Sequence, residues 1–246
     1  MKKTLFGICM LVLVTSAVAQ QQFYELREYS MKFGNPSTLH TYLEDALLPS
    51  LNALGVENIG VFEEVADALP KKLYLFIPYD DMASYTAIND ALEKDSQFIA
   101  KSEAYSKADP NGFPIRRIQT SFMTAFEGIP QLIKPANGSM LFELRIYEAY
   151  NEDALDRKVA MFNDSELGIF KDVGLHSVFF GKNIAGSQMP CLTYLLGFKD
   201  MAERDANWAK FGPHPEWERI RKLPEYANTV SDITRIFLKP LSYSQL

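Results

Sequence analysis

The sequence predicts an α+β protein: two tandem ferredoxin-like βαββαβ repeats whose sheets face each other to form one intramolecular α/β barrel. Three observations predict it. A Glu-Leu-Arg-x-Tyr pattern occurs twice, from Glu25 to Tyr29 and from Glu143 to Tyr147. Further landmarks recur at nearly the same separation: Leu54-Gly55 with Val173-Gly174, Asp81-Met82-Ala83 with Asp200-Met201-Ala202, and Tyr105 with Tyr226. Each copy also runs through the same alternation of strand-like and helix-like periodicity, as a duplicated unit with small loop insertions would.

The elements follow in order. Residues 23–29 alternate as a short strand and lead to Gly34-Asn35-Pro36-Ser37, a turn suited to capping a helix. Leu39, Tyr42, Leu43, Ala46, Leu47, Leu51 and Leu54 recur at three and four residues, an amphipathic helix that Gly55 stops. Strands near 59–63 and 73–77 come next, then a helical region capped by Asp81 and reaching Tyr105, then a closing strand over 115–126. The second copy repeats this with strand 141–147, helix 154–173, strands 175–180 and 191–198, helices from Asp200, and strand 233–238. Glu166 falls where the first copy has Leu47 and weakens that helix's apolar stripe.

Met1-Lys2-Lys3, an apolar run and Ala17-Val18-Ala19 read as a secretory signal peptide over residues 1–19, cleaved after Ala19, so an exported, periplasmic or extracellular protein is expected. The repeats then occupy 20–129 and 139–241, with the Pro- and Gly-marked stretch 130–138 as linker. No later stretch has the roughly 20 apolar residues a spanning helix needs, so no membrane insertion is expected. Removing the leader leaves Cys191 alone, which excludes an internal disulfide and suggests a buried thiol. It also removes Lys2 and Lys3, leaving 23 basic against 31 acidic side chains, a net of −8. An acidic chain without a basic cluster argues against nucleic-acid binding.

Alternation along the strands puts Tyr24, Leu26 and Glu28 on one face and Phe23, Glu25, Arg27 and Tyr29 on the other, with Leu141, Glu143, Arg145 and Tyr147 matching the second set. The more apolar face is expected under the helices, which would turn the Glu–Arg–Tyr rows into the space between the sheets. Two readings of the rows stay open. They could hold the sheets in register as partly buried ion pairs completed by tyrosine hydroxyls. Alternatively they form a polar floor for a small ligand, with Arg27 and Arg145 offering forked donors to an anion. His176, expected on a strand near that space, joins the candidate ligand-binding set of Glu25, Arg27, Tyr29, Glu143, Arg145 and Tyr147. His40, His176 and His214 are scattered without carboxylates or cysteines at ligand spacing, so no metal is expected. No phosphate loop, nucleophile elbow or triad order is present, and no cofactor or catalytic residue is assigned.

"YELREY" with "LLPSLNALGVENIGVFEE", and "FELRIY" with "ANWAKFGPHPEWERIR", resemble the two halves of a NIPSNAP family protein over residues 22–240. The most specific piece is Trp208-x-x-Phe211 followed by Pro215-Glu216-Trp217, with His214 where the family usually has Asp. The resemblance implies the dimeric α/β-barrel superfamily and no settled catalytic motif. Two functions follow as expectations: an exported protein binding a small molecule or protein partner in or around the barrel, or a cofactor-independent oxygenase- or isomerase-like enzyme using the barrel cavity. Because the barrel can close within one chain, a homodimer is optional for the fold.

Overall fold

In the computed structural model, which describes residues 20–32 and 36–246, eight antiparallel strands close into a barrel. The first repeat supplies β1 (Phe23–Met31), β2 (Gly60–Glu64), β3 (Lys72–Tyr79) and β4 (Ile115–Ala125); the second supplies β5 (Leu141–Glu148), β6 (His176–Ala185), β7 (Cys191–Phe198) and β8 (Asp232–Pro240). Their order around the barrel is β1-β3-β2-β8-β5-β7-β6-β4. Each repeat therefore contributes a four-stranded sheet, and two seams join them. At one, Phe62 lies opposite Pro240 and Glu64 opposite Leu238; at the other, Met123 lies opposite Asn183 and Ala125 opposite Gly181. Closure gives every strand two neighbours, a state one repeat alone could not reach. The proposed leader over 1–19, and Gly34 and Asn35 of the predicted turn, lie outside the described residues.

Helices cover the barrel. In the first repeat α1 (Ser37–Thr41) and α2 (Leu48–Ala53) are joined by a π-helical turn over Tyr42–Leu47, followed by α3 (Met82–Lys94), α4 (Ser96–Lys101) and α5 (Glu103–Ser106). In the second, α6 (Glu152–Met161) and α7 (Leu167–Val173) flank a π-helical turn at the matching place, Phe162–Glu166, and α8 (Met201–Phe211) and α9 (Pro215–Ile220) follow. The caps sit at matching places too: the Asp81 carboxylate accepts from the Ser84 amide at 2.7 Å and Asp200 from Glu203 at 2.9 Å. The helical region expected from Asp81 to Tyr105 is broken at Asp95, whose carboxylate caps α4 by accepting from the Gln97 amide at 2.8 Å. Gly55 and Gly174 end their helices with φ of 88° and 77°, values that disfavour a residue with a Cβ. Among the described residues no helix is long and apolar enough to cross a membrane.

The barrel interior is a mixed core from both repeats. Tyr24, Leu26, Phe62, Tyr74 and Phe76 meet Phe142, Leu144, Val178, Phe179 and Leu195 there. Phe76 stacks on Phe179 with ring centroids 4.2 Å apart, and Phe62 meets Phe142 at 4.9 Å. An eight-stranded barrel is just wide enough for side chains to fill it.

This corrects the expected facing. Tyr24 and Leu26 point into the barrel, whereas Phe23 and Tyr29 pack with the first repeat's helices, and Leu141 and Tyr147 with the second's. The rows therefore lie between sheet and helices. Pleating assigned the residues to two faces correctly, but both faces are buried, so overall hydrophobicity does not orient them. The barrel interior is lined by strands whose backbone groups are already paired and offers little to a carboxylate; helix side chains offer donors.

Candidate functional site

In the second repeat the row is the centre of a buried hydrogen-bond network. Glu143 is fully buried. Its carboxylate accepts from Arg145 Nε at 2.7 Å, from Arg204 Nε and a terminal guanidinium nitrogen at 2.9 Å each, and from Trp208 Nε1 at 2.8 Å. Burial alone would push its carboxyl up, but Arg204 and Arg145 together hold it below the usual carboxylate range. Arg145 donates to the Tyr147 hydroxyl at 3.0 Å, Tyr194 donates to that same oxygen at 2.9 Å, and the Arg145 guanidinium lies 4.1 Å from the centre of the Trp208 ring. The indole N–H of Trp208, a donor that burial would otherwise leave unsatisfied, is thereby paired with Glu143.

The first repeat builds a smaller version. Arg27 donates to Glu25 through Nε and, at 3.0 Å, through a terminal nitrogen, while the Tyr79 hydroxyl donates to Glu25 at 3.2 Å. Among the described residues no arginine reaches Glu25 from the helices: Tyr85 and Asn89 stand at the positions of Arg204 and Trp208. Rings surround this row instead, with Tyr42 stacked on Tyr105 at 4.1 Å.

Glu166, the break in the apolar stripe, is buried against Lys158 as an ion pair. The Lys158 ammonium also lies 4.7 Å from the Phe162 ring and 5.8 Å from the Trp217 ring. Burial pushes the Glu166 carboxyl up, and Lys158 only partly opposes it.

His176 is not part of either row. It opens β6 with its side chain 49 % exposed, and its Nε2 lies 3.6 Å from Glu203. His214 accepts from the Glu216 amide at 3.2 Å and so caps α9, with Pro215 in the first turn. Cys191 is buried, which pushes its thiol up to about 12. Trp208, Phe211 and Trp217 join the second repeat's helix-side core.

A concavity that sequence reasoning missed lies at the rim of the barrel in the first repeat. A groove of about 830 Å³ opens between the end of β1, the β2–β3 connection and the start of β4. Met31, Val65, Leu69 and Pro70 give it apolar wall, and Glu64 and Lys72 lie at its barrel side. Glu64 accepts from the Tyr74 hydroxyl at 2.8 Å, and Lys72 pairs with Glu28 at 2.9 Å. In sequence the available signal was Arg116-Arg117 at the opening of a strand, because adjacent residues cannot share a face unless the strand is irregular.

The geometry defines a class first: an α/β barrel made of two ferredoxin-like halves, with ion-pair rows clamped between sheet and helices. Residues 142–245, which span the second repeat, match the NIPSNAP family model. No curated protein matches the chain. Among solved structures it is similar to a "putative monooxygenase" from Lactobacillus acidophilus (TM-score 0.60, 12 % identity, 89 % of this chain and 94 % of that one). A second "putative monooxygenase", from Fusobacterium nucleatum, gives TM-score 0.58 and 10 % identity over 90 % of this chain and 93 % of that one. A NIPSNAP-like domain protein from Burkholderia xenovorans is 21 % identical over 44 % of this chain and 90 % of its own, with TM-score 0.39.

Proposed function

We propose that this protein is an exported binding protein of the NIPSNAP family that takes a small molecule in the rim groove of the first repeat, outside the barrel. One observation carries the reading. Rings from both repeats occupy the barrel interior, while the groove, at about 830 Å³, has the size of a small-molecule site. An enzyme using the barrel cavity would need Arg27 or Arg145 to face that interior, and both lie on the helix side. In this reading Glu25, Arg27, Tyr29, Glu143, Arg145 and Tyr147 clamp helices to sheet instead of touching ligand, and His176 has no part in the site. The oxygenase description of the two barrel relatives stays with those proteins, since likeness at 10 and 12 % identity reaches only the fold.

A fragment screen followed by amide NMR tests it: shifts gathered at Met31, Val65 and Leu69 are expected. Hits that perturb only the barrel interior or the helix layer defeat the reading. Export is checked separately by the mass of the protein recovered outside the cytoplasm, which should begin at Gln20.

A further inference from the structure

The rim groove is positively charged on an acidic protein. Lys32, Lys71, Lys72, Arg116 and Lys239 line it against Glu63, Glu64 and Asp67, although the chain carries a net −6. Three of the cations are neutralised nearby: Lys72 by Glu28 at 2.9 Å, Lys239 by Glu63 at 3.3 Å and Lys71 by Asp67 at 3.6 Å. Two are not. Among the described residues Arg116 has no carboxylate partner, and the Lys32 ammonium donates only to the Pro110 carbonyl, at 3.3 Å.

Arg116 also occupies an irregular place in the sheet. Ser30 of β1 lies opposite Arg117 and Met31 opposite Ile115, so Arg116 is the extra residue of a β-bulge at the barrel rim. A bulge re-aims a side chain that regular pleating would send elsewhere. Here the re-aimed guanidinium reaches the groove. Beside it Val65 and Leu69 are 51 and 65 % exposed, an apolar strip at the groove wall. The second repeat closes the corresponding corner. Its Gln188 side chain spans that corner, donating to Glu148 and Thr234 at 2.7 and 3.3 Å.

We propose that the groove takes an amphiphilic anion, its carboxylate or phosphate head on Arg116 and Lys32 and its apolar body along Met31, Val65 and Leu69. This rests on the groove being the ligand site and adds the class of ligand. Desolvation beside the apolar strip strengthens the ion contact, and the forked guanidinium suits a planar or tetrahedral oxyanion.

Calorimetry and amide NMR on the purified protein with decanoate, decyl phosphate and decanol test it. The two anions should bind with shifts at Met31, Val65 and Leu69, and decanol about tenfold or more weaker, a difference of about 1.4 kcal/mol. Arg116→Gln should weaken both anions by about the same factor and leave decanol unchanged, with an unaltered thermal melt confirming the fold. Tighter binding of either anion supports the proposal and selects the head group. Decanol binding there as tightly as decanoate overturns the anion assignment while leaving the groove as the site. Anions whose shifts lie away from the groove, or whose affinity survives Arg116→Gln, overturn it as well, and the neutral hits of the fragment screen then decide whether the groove binds anything.

Discussion

The two repeats share a backbone plan and a Glu–Arg row under the helices, but they differ in the polar groups placed around it. At the separation relating Gly55 to Gly174, Leu39 and Leu47 correspond to Lys158 and Glu166, so an apolar pair flanking one π turn becomes a buried ion pair flanking the other. At the barrel rim the change is reversed. Tyr74 donates to Glu64 in the first repeat, and at the same two positions Thr193 donates to Asn183, at 2.9 Å, in the second. At these two pairs of positions the ionised version is on the helix side in the second repeat and at the rim in the first. Duplication fixed where side chains point, and each copy then diverged in what it put there. The second copy invests in holding its helices; the first leaves a charged groove open.

Substitutions that exchange the two copies' choices probe this contrast. The largest effect is expected at the buried pair. Glu166→Leu alone leaves Lys158 buried without its partner and should cost about 3–5 kcal/mol in chemical denaturation. Adding Lys158→Leu, which copies Leu39 and Leu47, should recover most of that loss. A single variant as stable as the native protein would show that the pair is solvated and the contrast unreal.

The clamps come next. Trp208→Phe keeps a ring but removes a donor to the Glu143 carboxylate, with an expected cost of about 1.5–3 kcal/mol. Tyr79→Phe removes the longer bond to Glu25, and about 1 kcal/mol is expected. Equal losses in urea titrations would mean that the two rows are held alike. A smaller effect is the pH dependence of Arg204→Gln. Because the folded state holds the Glu143 carboxyl low, its contribution is present above the unfolded value of about 4.3 and is lost as pH falls through the folded one. The stability gap between native and Arg204→Gln proteins should therefore narrow on acidification, and a gap that widens contradicts the sign. Arg116→Gln should change stability least, within about 0.5 kcal/mol, since an exposed rim side chain without an ion partner holds nothing together.

Much of this was readable beforehand. The Glu-x-Arg-x-Tyr spacing of two residues announced a strand and the bond between Glu and Arg, and both appear in each copy. Glu166 was visible as a defect in a stripe, but its partner Lys158 lies eight residues earlier, beyond the usual helical spacing, because a π turn intervenes. Arg204 and Tyr194 were hidden for a different reason. They reach the row from another helix and another strand, and no local pattern marks them. The groove was hidden too, since it is bounded by β1, β4, β8 and a connection that come together only when the barrel closes.

The sequence by itself determined the number of repeats, the kind and order of their elements and which residues share a strand face, because these follow from periodicities of a few residues. Only the tertiary structure decided which face looked inward. Both faces of a closed sheet are buried, so the choice depended on where helix-borne arginine and indole donors could meet a carboxylate, and on aromatic rings of the right total volume filling the barrel.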